Sequence, residues 1–171
     1  MTRLQHLRIP AILLSLILFL VTFVGSFSTM ANPAMALLLD YSQASLIGAD
    51  LSHRDLTEAS FIRANLRNSN LSYANLRGVS LFSANLESAN LEGADLSYST
   101  ISTARLTKTN LKNAILEGSF AFNAKFDGAI IEGADFTDVL LRGDVEEKLC
   151  AIASGTNPIT GRNTRDTLFC P

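Results

Sequence analysis

Residues 83–96 read SANLESANLEGADL, and their spacing decides the architecture of the chain. A leucine returns at every fifth residue, Leu86, Leu91 and Leu96. Two positions before each stands an alanine (Ala84, Ala89, Ala94), and directly before each an Asn or Asp (Asn85, Asn90, Asp95). A step of five fits neither common element. On an α-helix it rotates each leucine by roughly 140° and scatters the apolar positions, and on a continuous strand an odd step sends alternate leucines to opposite faces. The chain must therefore turn within every repeat.

The same rule runs outward from this stretch over residues 44–143, which hold twenty consecutive five-residue repeats. Nineteen of the twenty centres, from Leu46 to Leu141, are Leu, Phe or Ile, and Ala121 is the exception. The residue two before the centre is small throughout apart from Arg54, and Gly recurs two after it, as at Gly48, Gly78 and Gly93. On a short extended segment, residues two apart point to the same side, so the small residue and the centre both face inward. The residues after the centre form the corner, where Gly tolerates positive φ and Asn, Asp and Ser supply turn hydrogen bonds. Coils built this way stack about 4.8 Å apart and bury a ladder of leucines flanked by alanines.

The uninterrupted A(D/N)LxG pattern resembles the pentapeptide repeat family, over 100 of the 171 residues. That resemblance implies an all-β solenoid, a right-handed quadrilateral β-helix with four pentapeptides per coil. Twenty repeats then give about five coils and roughly 24 Å of length at that rise. The segment LCAIASGTNPITGRNTRDTLFC, residues 149–170, resembles the C-terminal part of thylakoid-lumen pentapeptide repeat proteins of cyanobacteria and plants, which implies a short α-helical cap carrying a disulfide. Read on its own residues, Asp144 with Glu147 forms a capping-box arrangement and Gly155 can end the helix. Val145, Leu149 and Ile152 then share one side and cover the open end of the last coil, while Leu37 to Tyr41 plug the first.

The two ends of the chain bear on compartment. Met1 to Arg8 carries Arg3, His6 and Arg8 and precedes the apolar run Ile9 to Gly25. The ANPAMA that follows places Ala34 and Ala36 at the small-residue positions read by a signal peptidase, so a signal peptide over 1–36 is expected, with Leu37 as the mature N-terminus. The alternative is an uncleaved anchor, which would make this segment the only contact with a membrane. Either way the repeats are exported, to a thylakoid lumen or a periplasm. The domain plan is then 1–36 signal, 37–143 β-helix and 144–171 cap. Cys150 and Cys170, the only cysteines, lie in the tail of an exported chain, where a disulfide is expected and two free thiols are the alternative. The loop they close, about 20 residues, is worth on the order of 3 kcal/mol in the chain-entropy view.

Charge and residue types exclude several functions. The chain has 14 basic and 16 acidic residues; losing Arg3 and Arg8 leaves 12 minus 16, or −4. No basic patch is visible, which argues against nucleic-acid binding. His53, the one histidine after the signal, falls on a corner facing water, without the partners and cleft that acid–base catalysis needs. Asp50, Asp55, Glu58, Asp95, Asp135 and the other repeat carboxylates fall at outward, solvated positions. Asn65, Asn70, Asn75, Asn85 and Asn90 read as turn residues supporting the backbone. There is no zinc spacing, phosphate loop or nucleophile elbow. No catalytic residue, metal or cofactor is expected.

One outward feature departs from a merely solvated surface. With four repeats per coil, residues 20 apart stack vertically, and one of the four faces collects Ile62, Phe82, Phe120, Phe122 and Leu140. The other faces show chiefly Ile47, Ile115 and Ile130. Ala121 lies on the same apolar face and suggests a locally thin core. A contiguous apolar patch marks an interaction surface, unless the tail leaving the helix at residue 143 folds back over it. The reading is a non-enzymatic structural or protein-binding module, a monomer or weak homodimer, with an unknown protein partner. The alternative, a DNA-mimicking topoisomerase inhibitor, asks for a cytoplasmic and strongly acidic rod. The export signal and a repeat charge of 9 basic minus 11 acidic residues, or −2, speak against it.

Overall fold

The computed structural model describes residues 39–171. The expected signal peptide over 1–36, with the expected cleavage positions Ala34 and Ala36, and the first residues of the expected N-terminal plug lie outside the described residues.

Within each repeat the residue before the centre pairs in parallel with its counterpart 20 positions on. The register holds without slip from Asp40↔Ser60 to Phe120↔Leu140, so four pentapeptides make one coil. The side Asn90–Leu91 shows how each repeat is tied on both edges. Leu91 N–H donates to Asn110 O (2.7 Å) and Gly93 N–H to Lys112 O (2.9 Å) in the next coil, while Asn90 N–H donates to Ser69 O (2.9 Å) in the previous one. The corner closes through Ala94 N–H to Leu91 O at 3.1 Å. This tight turn needs a left-handed residue at its third position. Nineteen of the twenty corner residues from Gln43 to Asp138 have positive φ, including bulky ones such as Tyr73 (57°) and Lys108 (57°), with Glu58 the exception. The backbone bonds on both sides of the corner hold side chains in a conformation that costs an isolated L-residue about 1 kcal/mol or more.

The interior is the expected double ladder. Centres from Leu66 to Leu116 and the alanines beside them are buried. Arg54, the one large residue at a small position, is exposed in the first coil, where Tyr41 stacks on Phe61 at 5.1 Å between ring centroids. At Ala121 the core is not left thin. Ala121 shares its coil with Phe126 and Phe136, whose rings meet edge-on at 6.2 Å across the axis and return the bulk that the alanine gives up. Close packing makes such compensation within one layer the natural solution.

Beyond the last coil, α1 (Gly143–Cys150) and α2 (Thr164–Thr167) are the helices among the described residues. The capping box does not form. Arg142 is the N-cap, and Asp144 sits inside the first turn of α1, where its carboxylate accepts from Arg142 Nε at 3.0 Å instead of from a backbone amide. Nor does Gly155 end the helix. α1 stops at Cys150, and Gly155, at φ +81°, lies so close to Gly133 that a Cβ would stand 2.9 Å from Gly133 N. Leu149 is buried against the core, whereas Ile152 is half exposed. Cys150 and Cys170 are joined by a disulfide with Cα atoms 5.5 Å apart, which fixes Leu168 in the core beside Leu149.

Candidate functional site

The described side chains group into three features, each produced by the 20-residue stacking period. The first is the side whose centres are Phe61, Leu81, Ile101, Ala121 and Leu141. Inward residues alternate with outward ones along each short extended segment, so the residues flanking these centres must face solvent. Phe120, Phe122 and Leu140 are 50%, 58% and 57% exposed, and Ile62 and Phe82 are 37% and 39% exposed. The C-terminal segment does not fold over them. Polar Thr100, Ser102 and Thr103 divide the upper three from the lower two, and Ser83 Oγ and Thr103 Oγ1 share a hydrogen bond at 2.6 Å.

The second feature is where the C-terminal segment does lie, across the end of the last coil and against the corner formed by residues 113–117 and 133–137. Asn157 is fully buried, and its Nδ2 donates to Gly133 O (2.9 Å), Asn113 O (3.1 Å) and Ala114 O (3.3 Å), pinning two successive coils. Its Oδ1 accepts from the N–H groups of Ile159 and Thr160. Arg162 reaches Glu117 at 2.9 Å and Asp135 at 3.3 Å. Ile115, an outward position bracketed by these contacts, is only 9% exposed. Asp135, too, is not solvated, as its place in the repeat suggests, but has a side chain 0% exposed. Burial pushes its carboxyl up, yet hydrogen bonds from the Thr137 hydroxyl and amide and from Thr160, with the Arg162 guanidinium, outweigh that and hold it below the ordinary carboxylate range. The guanidinium in turn is raised, first by its bond to Glu117 and then by Asp135.

The third feature is a set of ordered corners. His53 stacks on Tyr73 with centroids 5.1 Å apart, and Arg77 lies 4.7 Å above the Tyr98 ring. Tyr73 and Tyr98 each cover a glycine 20 residues on, Gly93 and Gly118. Along the side of Leu71 and Leu91, an amide ladder runs from Asn110 to Asn90 (3.0 Å), Asn90 to Asn70 (3.4 Å) and Asn70 to Asp50 (3.2 Å). The Oδ1 atoms of Asn70 and Asn90 also accept the amide two residues on, the turn-supporting bond. Among the described residues no group of three His, Cys, Asp or Glu side chains could hold a metal ion. No helix among them is long and apolar enough to cross a membrane. The aromatic corners are legible in the sequence as a Tyr followed by Gly 20 residues later.

The pentapeptide repeats family model matches eight copies here, over residues 44–82, 59–97, 74–113 and 104–143. The chain belongs to the pentapeptide repeat family. Its fold is accordingly that family's right-handed β-helix solenoid. A crystal structure of a pentapeptide repeat protein from the thylakoid lumen of Arabidopsis thaliana is 44% identical, covers 77% of this chain and 84% of its own, and superposes with a TM-score of 0.62. The thylakoid lumenal 15 kDa protein 1 of Arabidopsis thaliana chloroplasts is 58% identical over 36 residues, which is 21% of this chain. That match spans 16% of the curated relative's length. HetL, a pentapeptide repeat protein of the cyanobacterium Nostoc involved in heterocyst differentiation regulation, is 32% identical over 56% of this chain and 48% of its own, with a TM-score of 0.47. Both Arabidopsis relatives are proteins of the thylakoid lumen.

Proposed function

We propose that this pentapeptide repeat protein is a non-enzymatic protein-binding module of the thylakoid lumen, whose apolar side is the surface that meets a partner. The observation that carries this reading is the exposure of Phe82, Phe120, Phe122 and Leu140 together on one side, where the 20-residue period stacks them, whereas Ile47 and Ile130 are exposed singly on other sides. Large aromatic side chains held on a rigid backbone lose little conformational freedom on binding, and they dominate the energetics of interfaces. The two Arabidopsis relatives, both of the thylakoid lumen, support that compartment, and the N-terminal signal reading agrees with it. Among the described residues no nucleophile and base meet in a cleft, which is consistent with a binding role.

DNA mimicry is not favoured. It calls for a dense acidic surface, and the repeats carry 9 basic against 11 acidic side chains. The test is the double variant Phe82→Asp and Phe122→Asp, followed by light scattering for self-association and by crosslinking to lumenal proteins. The proposal expects the variant to keep its fold and lose a crosslinked product or a dimer that the native protein forms. Identical behaviour of the two proteins in both assays would overturn it.

A further inference from the structure

The solenoid ends in an edge where its own C-terminal segment takes one backbone donor on each of two sides and none on a third. On the side centred on Leu106, Leu106 N–H donates to Lys125 O (2.8 Å) and Lys108 N–H to Asp127 O (2.9 Å). The same two donors one coil higher are Phe126 N–H and Gly128 N–H, and among the described residues neither has an acceptor. On each of the next two sides the C-terminal segment supplies one of the two acceptors that a further coil would, and Ile131 N–H and Asp138 N–H have none among the described residues. Ser154 O takes Gly133 N–H at 2.8 Å, and Thr167 Oγ1 takes Phe136 N–H at 3.1 Å. Beside the open edge, between it and α1, lies a cleft of roughly 920 Å³ with apolar walls from Phe126, Ile131, Val145, Leu149 and Ile152.

Charge around this cleft is uneven. Arg105, Lys108 and Lys125 stand on the open side and Lys148 above it on α1, all exposed, and among the described residues none of them makes an ion pair. Of the carboxylates lining the cleft, Glu132 is paired with Lys112 at 3.2 Å and Asp144 with Arg142 at 3.0 Å, which leaves Asp127. Among the charged residues that line the cleft, the two unpaired cations Lys125 and Lys148 stand against the one unpaired anion Asp127, which favours an acidic occupant. Two amide donors spaced like those of a strand edge favour an extended backbone.

We infer that this cleft binds an extended acidic peptide, which adds one further side to the solenoid. The repeat itself dictates how such a peptide sits. The residue above Lys125 accepts Phe126 N–H through its carbonyl and points its side chain outward, where an Asp or Glu meets Lys125 and Lys148. The next residue points inward over Phe126 and is apolar. The pattern is small, acidic, apolar, as in this chain's own Ala94–Asp95–Leu96. The site is separate from the apolar side and does not depend on it.

The test uses two fluorescent octapeptides, one with Ala-Asp-Leu-Ser at its centre and one with Ala-Lys-Leu-Ser, titrated against the intact protein by anisotropy. The acidic peptide is expected to bind at least tenfold more tightly and to slow hydrogen exchange at the Phe126 and Gly128 amides. Lys125→Glu with Lys148→Glu, both exposed, is expected to weaken it at least tenfold and to reverse the preference. The Phe82→Asp and Phe122→Asp variant is expected to bind it like the native protein. No binding, equal binding of the two peptides, or binding that leaves those two amides unprotected would each overturn the inference.

Discussion

The ring of Tyr73 lies over the α-carbon of Gly93, one coil on, so closely that a Cβ on Gly93 would fall 2.5 Å from Tyr73 Cε1. Gly78 has a similar φ, +72° against +64°, but open space around it. The two glycines therefore separate backbone strain from steric demand. Gly78→Ala should cost about 1 kcal/mol, the ordinary penalty of a left-handed L-residue. Gly93→Ala should cost more, because Tyr73 must also swing away and give up its stack on His53. In urea denaturation the excess should vanish in a Tyr73→Ala background, and an equal cost for both glycines in the native background would refute the contact.

Asn157 ties the C-terminal segment to two coils. Replacing it with Ala removes the donor from Gly133 O and Asn113 O, while Ala114 O keeps the Asp135 N–H, and should cost about 1–3 kcal/mol. Because the loss is local, hydrogen exchange at Gly133 and Phe136, whose amides that segment accepts, should accelerate far more than exchange at Leu91. Uniform acceleration along the solenoid would contradict the assignment.

Asp135 gives the junction a pH dependence of known sign. Its folded pKa is lowered from 3.8, so its contribution is complete above pH 3.8 and is lost as the pH falls below that value and through the folded one. Asp40 and Asp50 are also lowered, each by its bonds to Ser42 or Ser52, and supply a background of the same sign. Melting temperatures measured from pH 6 to pH 2 should fall less steeply for Asp135→Asn than for the native protein, and parallel curves would rule out the role.

Ala121 and the two phenylalanines of its coil form one packing unit. Ala121→Leu alone overfills the layer and should destabilise by about 1–3 kcal/mol. Adding Phe126→Leu should recover part of that loss, a coupling that a thermodynamic cycle on the three variants would read. Simple additivity of the two substitutions would show that the side chains do not share space.

The repeat was legible because every coil asks the same of its residues: a small and a large apolar side chain inward, a turn-former at the corner. The 20-residue stacking period then places Ile62, Phe82, Phe120, Phe122 and Leu140 on one side. The C-terminal segment has no period, and its path was not legible. Asn157 and Arg162 meet partners 24 to 45 residues away, and nothing in the local pattern announces those pairings. Burial of Asp135 and Ile115 follows from that path and was hidden with it. The capping box at Asp144 failed for a local reason: the helix begins one residue earlier, with Arg142 as its N-cap, and that arginine takes the carboxylate. The open edge at Phe126 and Gly128 is visible only once the segment is seen to take a donor on each of two other sides.

The side that carries Phe82 and Phe122 is proposed to meet a protein partner, and the side that carries Glu87 is not. A photo-crosslinking residue placed at Phe122, with a second placed at the outward Glu87 for comparison, tests it in isolated thylakoids. The account predicts a discrete adduct from position 122 that is lost on Phe82→Asp, and none from position 87. No adduct at 122, or the same adducts from both positions, would contradict it.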